Sequence, residues 1–283
     1  MAQNSIRDNI TKEDIIAEIR LALSSDYSHS LSIVIVEGAD DVVFFNGKLH
    51  HDVEIIESFS GKIGVNEIVS FFDDDRVIGI CDRDYNYDEK DEKILYYDYS
   101  CLEMMMVSVD SAFNNFVYTY YQGKTPPQQV RLMVLKDLQL LSVYRQLNAI
   151  EGWSVRFTGL SINKAFDKSK ARLNYASIIR QLYNSNPELS DIKHTHLCSI
   201  RKKCLELSSD KQSLLSITNG HDFMNYFHAL CCCHNPKFKT SVADISRGLE
   251  SSFRADDFKQ TFLYKSIIDY QNQSGMIIVD ATE

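Results

Sequence analysis

IVIVEGADD (33–41) and RVIGICDRD (76–84) decide the fold of this chain. In each, an apolar run stops on carboxylates: IVIV (33–36) on Glu37, and RVIGI (76–80) on Asp82 and Asp84. Short continuous apolar runs of this kind read as buried strands. Parallel strands end side by side, so acids at their carboxyl ends converge in the crevice where open α/β sheets bind ligands. Carboxylates crowded in that way repel one another unless a cation sits between them, and oxygen-only donors suit Mg²⁺ or Mn²⁺. The residues themselves therefore point to metal-dependent phosphoryl transfer.

Outward from these two segments, TKEDIIAEIRLAL (11–23) predicts an amphipathic helix with Thr11 as N-cap and Asp14 as a shortened capping-box partner. Strands are expected at 31–37, 53–58, 76–81 and 94–98. Helices are expected over 39–49 and from Gly61, in GKIGVNEIVSFF, and an acidic loop at 82–93 precedes the last strand. This alternation gives βαβ units, hence an α/β fold with a four-stranded parallel sheet flanked by helices. A long apolar helix is expected from Ser100 to Tyr121. The pattern changes after Gln122-Gly123-Lys124, where Pro126-Pro127 open a helical stretch. Domains are accordingly expected at 1–123 and 124–283, the second mostly helical. Within it, WSVRFTGLSI (153–162) reads as a short strand or hairpin arm and 163–270 as helices with short loops.

With 283 residues and 44% hydrophobic content, the chain can bury a full core. Its formal net charge is −9, but Lys124–Lys211 holds 15 Lys+Arg against 7 Asp+Glu. An acidic half followed by a basic one fits a metal site beside a polyanion-binding surface, although solvated lysines on helices give the same pattern. Lys164, Lys168, Lys170 and Arg172, with Tyr175 adjacent, form one candidate nucleic-acid contact; Arg201, Lys202 and Lys203 form another. No apolar stretch approaches the ~20 residues that span a bilayer, and no signal-peptide pattern is present, so no membrane association is expected. Seven unevenly spaced cysteines predict reduced thiols and a cytoplasmic setting. His194, His196, Cys198, Cys204, Cys231 and His234 could supply a zinc site, but none has zinc-ribbon spacing, and Cys231-Cys232-Cys233 reads better as packing. Met104, Met105 and Met106 read as core or dimer interface.

The ordered set of strand-Glu-Gly followed by strand-Asp-x-Asp resembles the Toprim domain shared by topoisomerases, DnaG-type primases, RNase M5 and OLD-family nucleases. Glu37-Gly38 and Asp82-x-Asp84 carry the resemblance, which covers about residues 31–121. Asp41 matches the extra acidic position of the OLD-like branch, GKIGV (61–65) its glycine-led helix start, and Glu103 in YDYSCLEMM its late acid. The resemblance implies that Glu37, Asp82 and Asp84 bridge or flank two divalent ions ~3.5–4 Å apart, with Asp41 and Glu103 completing the shells. In the topoisomerase branch the equivalent glutamate does acid–base chemistry, so both roles stay open for Glu37. None of the 15 tyrosines stands out as a topoisomerase nucleophile. Lys62 at the helix start and Arg83 inside the DRD turn are the nearest cations for a scissile phosphate; a tight turn and a solvent-facing pair are the plainer readings.

YYDYSCLEMM and NGHDFMNYF (219–227) further resemble a bacterial Toprim family that includes the effector of the PARIS phage-defence system. That resemblance implies a Mg²⁺- or Mn²⁺-dependent nuclease acting as a toxic effector. Its target would be host nucleic acid, RNA such as tRNA ahead of DNA. An ABC-type, AriA-like ATPase is the implied partner, and a homodimer through the helix at 100–121 is a further expectation. The competing expectations are a housekeeping RNA-maturation or DNA-processing Toprim nuclease and a non-catalytic Toprim binding subunit.

Overall fold

Parallel pairing of short strands brings the two acid-ending segments side by side. The structure, a computed structural model, describes residues 10–85, 91–189, 193–207 and 209–280. It divides into two compact units, Met1–Asp98 with Phe258–Glu283, and Tyr99–Asp257. The first contains α1 (Lys12–Ser25), β1 (Ser32–Val36), α2 (Ala39–Phe45), β2 (Val53–Glu57), α3 (Gly61–Val69), β3 (Val77–Cys81) and β4 (Ile94–Tyr96). The strands form one parallel sheet in the order β2-β1-β3-β4. The chain steps from β1 to β2 on one side, then crosses back over β1 to β3 on the other. The topological switch point therefore lies between β1 and β3, where open α/β sheets have their ligand crevice.

Every residue of β1 and β3 is buried, as their unbroken apolar runs require. Ile15 and Ile19 of α1 and Val65, Ile68 and Val69 of α3 pack in the same core as Ile33, Ile35 and Val77. Each such aliphatic side chain contributes about 1.5–3 kcal/mol on burial. Thr11 caps α1 with Asp14 as its reciprocal partner, as expected. At Gly79 the side chains of α3 and β4 come close against the backbone of β3. A Cβ there would stand 2.5 Å from Val65 Cγ1 and 2.7 Å from Ile94 Cδ1. Gly79→Ala is expected to destabilise the protein by about 1–3 kcal/mol through overpacking, read from the urea midpoint; an unchanged midpoint would show that α3 shifts freely.

The C-terminal segment completes this unit. Asp98 accepts the amides of Phe262 at 2.9 Å and Leu263 at 2.8 Å, at the start of the C-terminal helix Phe262–Ser274. The Tyr270 hydroxyl donates to the Asp75 carbonyl at 2.7 Å, and the His50 amide to the Ile278 carbonyl at 2.8 Å. The expected boundary at 123/124 falls inside the second unit, because the proline pair there starts a helix within a helical array.

That array comprises α4 (Leu102–Ser108), α5 (Asp110–Tyr120), α6 (Pro127–Glu151), α7 (Ile162–Ala165), β5 (Phe166–Asp167), β6 (Arg172–Leu173), α8 (Tyr175–Ser185), α9 (Lys193–Glu206), α10 (Lys211–Leu215), α11 (Gly220–His234) and α12 (Val242–Ser252). The single helix expected over 100–121 is two helices, broken at the extended residue Val109. The break is compensated by buried Arg131, which donates to the carbonyls of Val107 at 2.8 Å and Ser108 at 3.3 Å and pairs with Asp110. Met104, Met105 and Met106 are buried within the chain, and Phe116 packs on Phe227 with ring centroids 4.5 Å apart.

Residues 153–162 form no strand. Backbone groups in this stretch are satisfied by side-chain amides instead: Asn148 serves Val155, and Asn186 serves both the amide and the carbonyl of Arg156, at 2.8 and 2.9 Å. The hairpin lies further on, where β5 and β6 pair antiparallel within the stretch expected to be helical. Among the described residues no helix is long and apolar enough to cross a membrane.

Candidate active site

The register of β1 on β3 aligns Val36 with Ile80, so Glu37 follows the end of β1 at the level of Cys81, the last residue of β3. Glu37 then reaches one residue further. Its Oε1 accepts the Asp82 amide at 2.7 Å, tying the two acidic strand ends into one crevice. Gly61, the first residue of α3, has φ of +51°, and a Cβ there would lie 3.6 Å from Glu37 Oε2. A residue without a side chain thus adopts the left-handed turn and leaves the second carboxylate oxygen uncovered on that side.

Asp41 stands one turn into α2, where its Oδ2 accepts the Gly38 amide at 2.9 Å. Its Oδ1 takes the hydroxyl of Tyr97 at 2.5 Å. Both oxygens are therefore engaged by protein donors. Asp84 is exposed, in the left-handed region with φ of +52°, and its Oδ2 lies 3.7 Å from Lys62 Nζ. Lys62 and Arg83 each sit 5.3 Å from the centroid of the Tyr96 ring. The structure thus brings Glu37, Asp41, Asp82, Asp84 and Lys62 into one neighbourhood, with Arg83 placed towards β4. Glu103 belongs to the second unit, where its carboxylate covers Gly220 at the start of α11.

Burial, followed by the charges of Asp84 and Asp41, pushes the Glu37 carboxyl above its ordinary range, against the pull of the Asp82 amide and Lys62. Burial also raises the Cys81 thiol and the Tyr97 hydroxyl, so both stay protonated, and Tyr97 serves Asp41 as a donor. A carboxylate destabilised by neighbouring carboxylates is one that a cation would relieve, and the donors are all oxygen. On this chemistry the residues fit a hard divalent ion. The three-residue group of described residues whose ligand atoms all lie within 4.8 Å of one another is different: His50, His51 and Asp52.

In the metal-free protein the folded state holds the Glu37 proton more tightly than the unfolded chain does. This group's contribution to stability is greatest below the unfolded carboxyl pKa and is lost as pH rises through the raised folded value. Glu37→Gln is expected to remove that loss and to be more stable than wild type at neutral pH without metal. Urea unfolding in EDTA across the pH range checks this. A wild-type-to-variant difference that does not grow from about pH 4 to neutrality would contradict it.

Tyr97, bonded to Asp41, and Tyr96, beside Lys62 and Arg83, are neighbours of these residues that the sequence did not single out. Their signal was ILYYD itself: a buried tyrosine needs a hydrogen-bond partner, and a strand ending beside two acidic strands offers one. In the second unit Lys164, Lys168, Lys170 and Arg172 are all exposed on α7 and the β5–β6 hairpin. Arg201, Lys202 and Lys203 lie on α9, with Lys202 3.9 Å from Glu206. The described members of the zinc set do not converge. His196 is buried and stacks on Trp153 at 3.9 Å, Cys231 is buried in α11, and the His234 ring approaches the Tyr121 hydroxyl at 3.2 Å. The side chain of His194 lies outside the described residues. No protein-family model matches the chain, and no curated protein matches it.

Proposed function

We propose that this chain is a Toprim-type nuclease dependent on Mg²⁺ or Mn²⁺, and that it acts as a toxic effector of antiviral defence on host RNA such as tRNA. The observation that carries the reading is the 2.7 Å bond from the Asp82 amide to Glu37, which joins two acidic strand ends at the switch point of a parallel sheet. Glu37, Asp82 and Asp84 would hold the metal, with Asp41 fixed behind them by Tyr97 and Gly38. A divalent ion bound there supplies Lewis acidity towards a phosphoryl oxygen and a water of lowered pKa. Lys62, 3.7 Å from Asp84, is the cation placed to bind a phosphate oxygen of the substrate. The raised Glu37 carboxyl also suits proton transfer at Oε2, because Oε1 is occupied by the Asp82 amide.

The effector role, the ABC-type ATPase partner and the preference for RNA over DNA rest on the resemblance of the motifs. They are tested by expressing the chain in cells with the ATPase partner and by incubating purified protein with total tRNA and plasmid DNA. Growth arrest with metal-dependent tRNA cleavage, both lost in Asp82→Asn, is the expected result. Tolerated expression together with trimming of a precursor RNA would favour the housekeeping nuclease. Growth arrest that survives Asp82→Asn would favour a non-catalytic binding subunit.

A further inference from the structure

The second unit contains a cavity of about 600 Å³ bounded by α6, the β5–β6 hairpin and α11. Three cations line it: Lys136, Lys170 and Arg172. Met133 and the Tyr226 ring give it an apolar side, and Asp137 provides a single carboxylate. The hairpin is held in place through that carboxylate. Asp137 Oδ2 accepts the Leu173 amide and the Tyr226 hydroxyl, each at 2.7 Å, and the hydroxyl also lies 3.3 Å from the Ala171 carbonyl. Ala171 is fixed in the left-handed region at φ of +49°, a conformation that a residue with a side chain adopts only where its surroundings impose it. Lys170 and Arg172 flank this residue, so the turn that presents them is pinned to α6 and α11. Asp137 Oδ1 makes no hydrogen bond to a described residue.

The size and composition decide what such a site accepts. A cavity of several hundred Å³ with one apolar side and a few polar groups takes a unit the size of one nucleotide, not a duplex. Lys170 lies 3.9 Å from Asp167, leaving Lys136 and Arg172 as the cations facing a phosphate most openly. Lys164 on α7 and Lys168 in the hairpin turn are exposed and add positive charge outside the cavity lining, as a chain of phosphates requires and a free nucleotide does not. The unoccupied carboxylate oxygen is an acceptor only. It pairs with a base that carries an exocyclic amine and finds no donor at the corresponding carbonyl position of uracil.

We infer that this cavity is a nucleotide-reading site for single-stranded RNA, in which Asp137 selects an amine-bearing base such as cytosine over uracil while Lys136, Lys170 and Arg172 bind the backbone. It rests on the proposed action on nucleic acid but not on the carboxylate crevice. It gives that activity a source of sequence preference remote in the chain from the acidic residues.

The test is fluorescence anisotropy of the full chain with labelled oligo-rC and oligo-rU about 12 nucleotides long, in EDTA and over a range of salt. Wild type is expected to bind oligo-rC about tenfold or more tighter than oligo-rU. Asp137→Asn keeps an oxygen for the Leu173 amide but adds a donor, so the preference should vanish or reverse. The pair Lys170→Glu and Arg172→Glu should weaken both oligonucleotides about tenfold or more and flatten the salt dependence by about two counterions; Lys136→Glu should act in the same direction. Equal affinity for the two oligonucleotides in wild type would overturn the inference, as would binding that survives these charge reversals. Because no metal is present, failure of the carboxylate site leaves the result unchanged. An Asp82→Asn protein that cuts nothing but keeps the oligo-rC preference would separate the two claims.

Discussion

Asp82→Asn is expected to lower metal-dependent phosphodiester cleavage by about a thousandfold or more, equivalent to roughly 4 kcal/mol of transition-state stabilisation. The substitution is nearly isosteric and leaves the backbone amide that binds Glu37 Oε1 in place, so the crevice keeps its shape. What changes is charge. Asp82 would lose its negative charge at the strand end that faces Glu37, and with it the main reason for a divalent ion to bind between β1 and β3. The variant should unfold at the same urea concentration as wild type while its cleavage rate collapses. Unimpaired cleavage would remove Asp82 from the machinery. A matching fall in stability would make its role structural.

Phe45→Ala is expected to destabilise the protein by about 3–5 kcal/mol, the cost of a fully buried aromatic ring and the cavity left behind. Phe45 stacks on Tyr97 at 6.0 Å and meets Phe258 edge-on at 5.9 Å, with Phe44 at 5.0 Å. This cluster joins α2, the end of β4 and the returning C-terminal segment, three regions far apart in sequence. It also supports the ring whose hydroxyl fixes Asp41. Chemical unfolding should therefore show a large shift of the midpoint, and at temperatures where the variant remains folded its cleavage should fall as well. A loss below about 1 kcal/mol would mean that the cluster packs loosely and does not hold Asp41.

The sheet was legible because its signals are local. Apolar runs bounded by turn residues marked all four strands, and their acidic ends marked the crevice before any pairing was known. The break at Val109 was hidden because SVD (108–110) has no helix-breaking residue. The carbonyls freed at the end of α4 are taken up by a buried arginine more than twenty positions away. The absent strand at 153–162 shows the same limit from the other side: its residues favour extended backbone, but the hydrogen-bonding partners are asparagine side chains and not a neighbouring strand. The return of Phe258–Glu283 to the first unit leaves no compositional trace either, since Asp98 reads as an ordinary turn acid until the amides of Phe262 and Leu263 are seen against it. Within the crevice, Glu37 and Asp82 could be paired from sequence order alone, whereas Tyr97 could not, because its importance depends on the turn of α2 that faces it.

The measurement that bears most directly on the central claim is a Mn²⁺ titration of the purified protein, followed by electron paramagnetic resonance, with Mg²⁺ as competitor. The account predicts saturable Mn²⁺ binding that Mg²⁺ displaces and that both Asp82→Asn and Glu37→Gln abolish, while His50→Ala leaves it intact. Binding lost in His50→Ala but retained in the carboxylate variants would move the metal to His50, His51 and Asp52 and contradict the assignment of the acidic crevice.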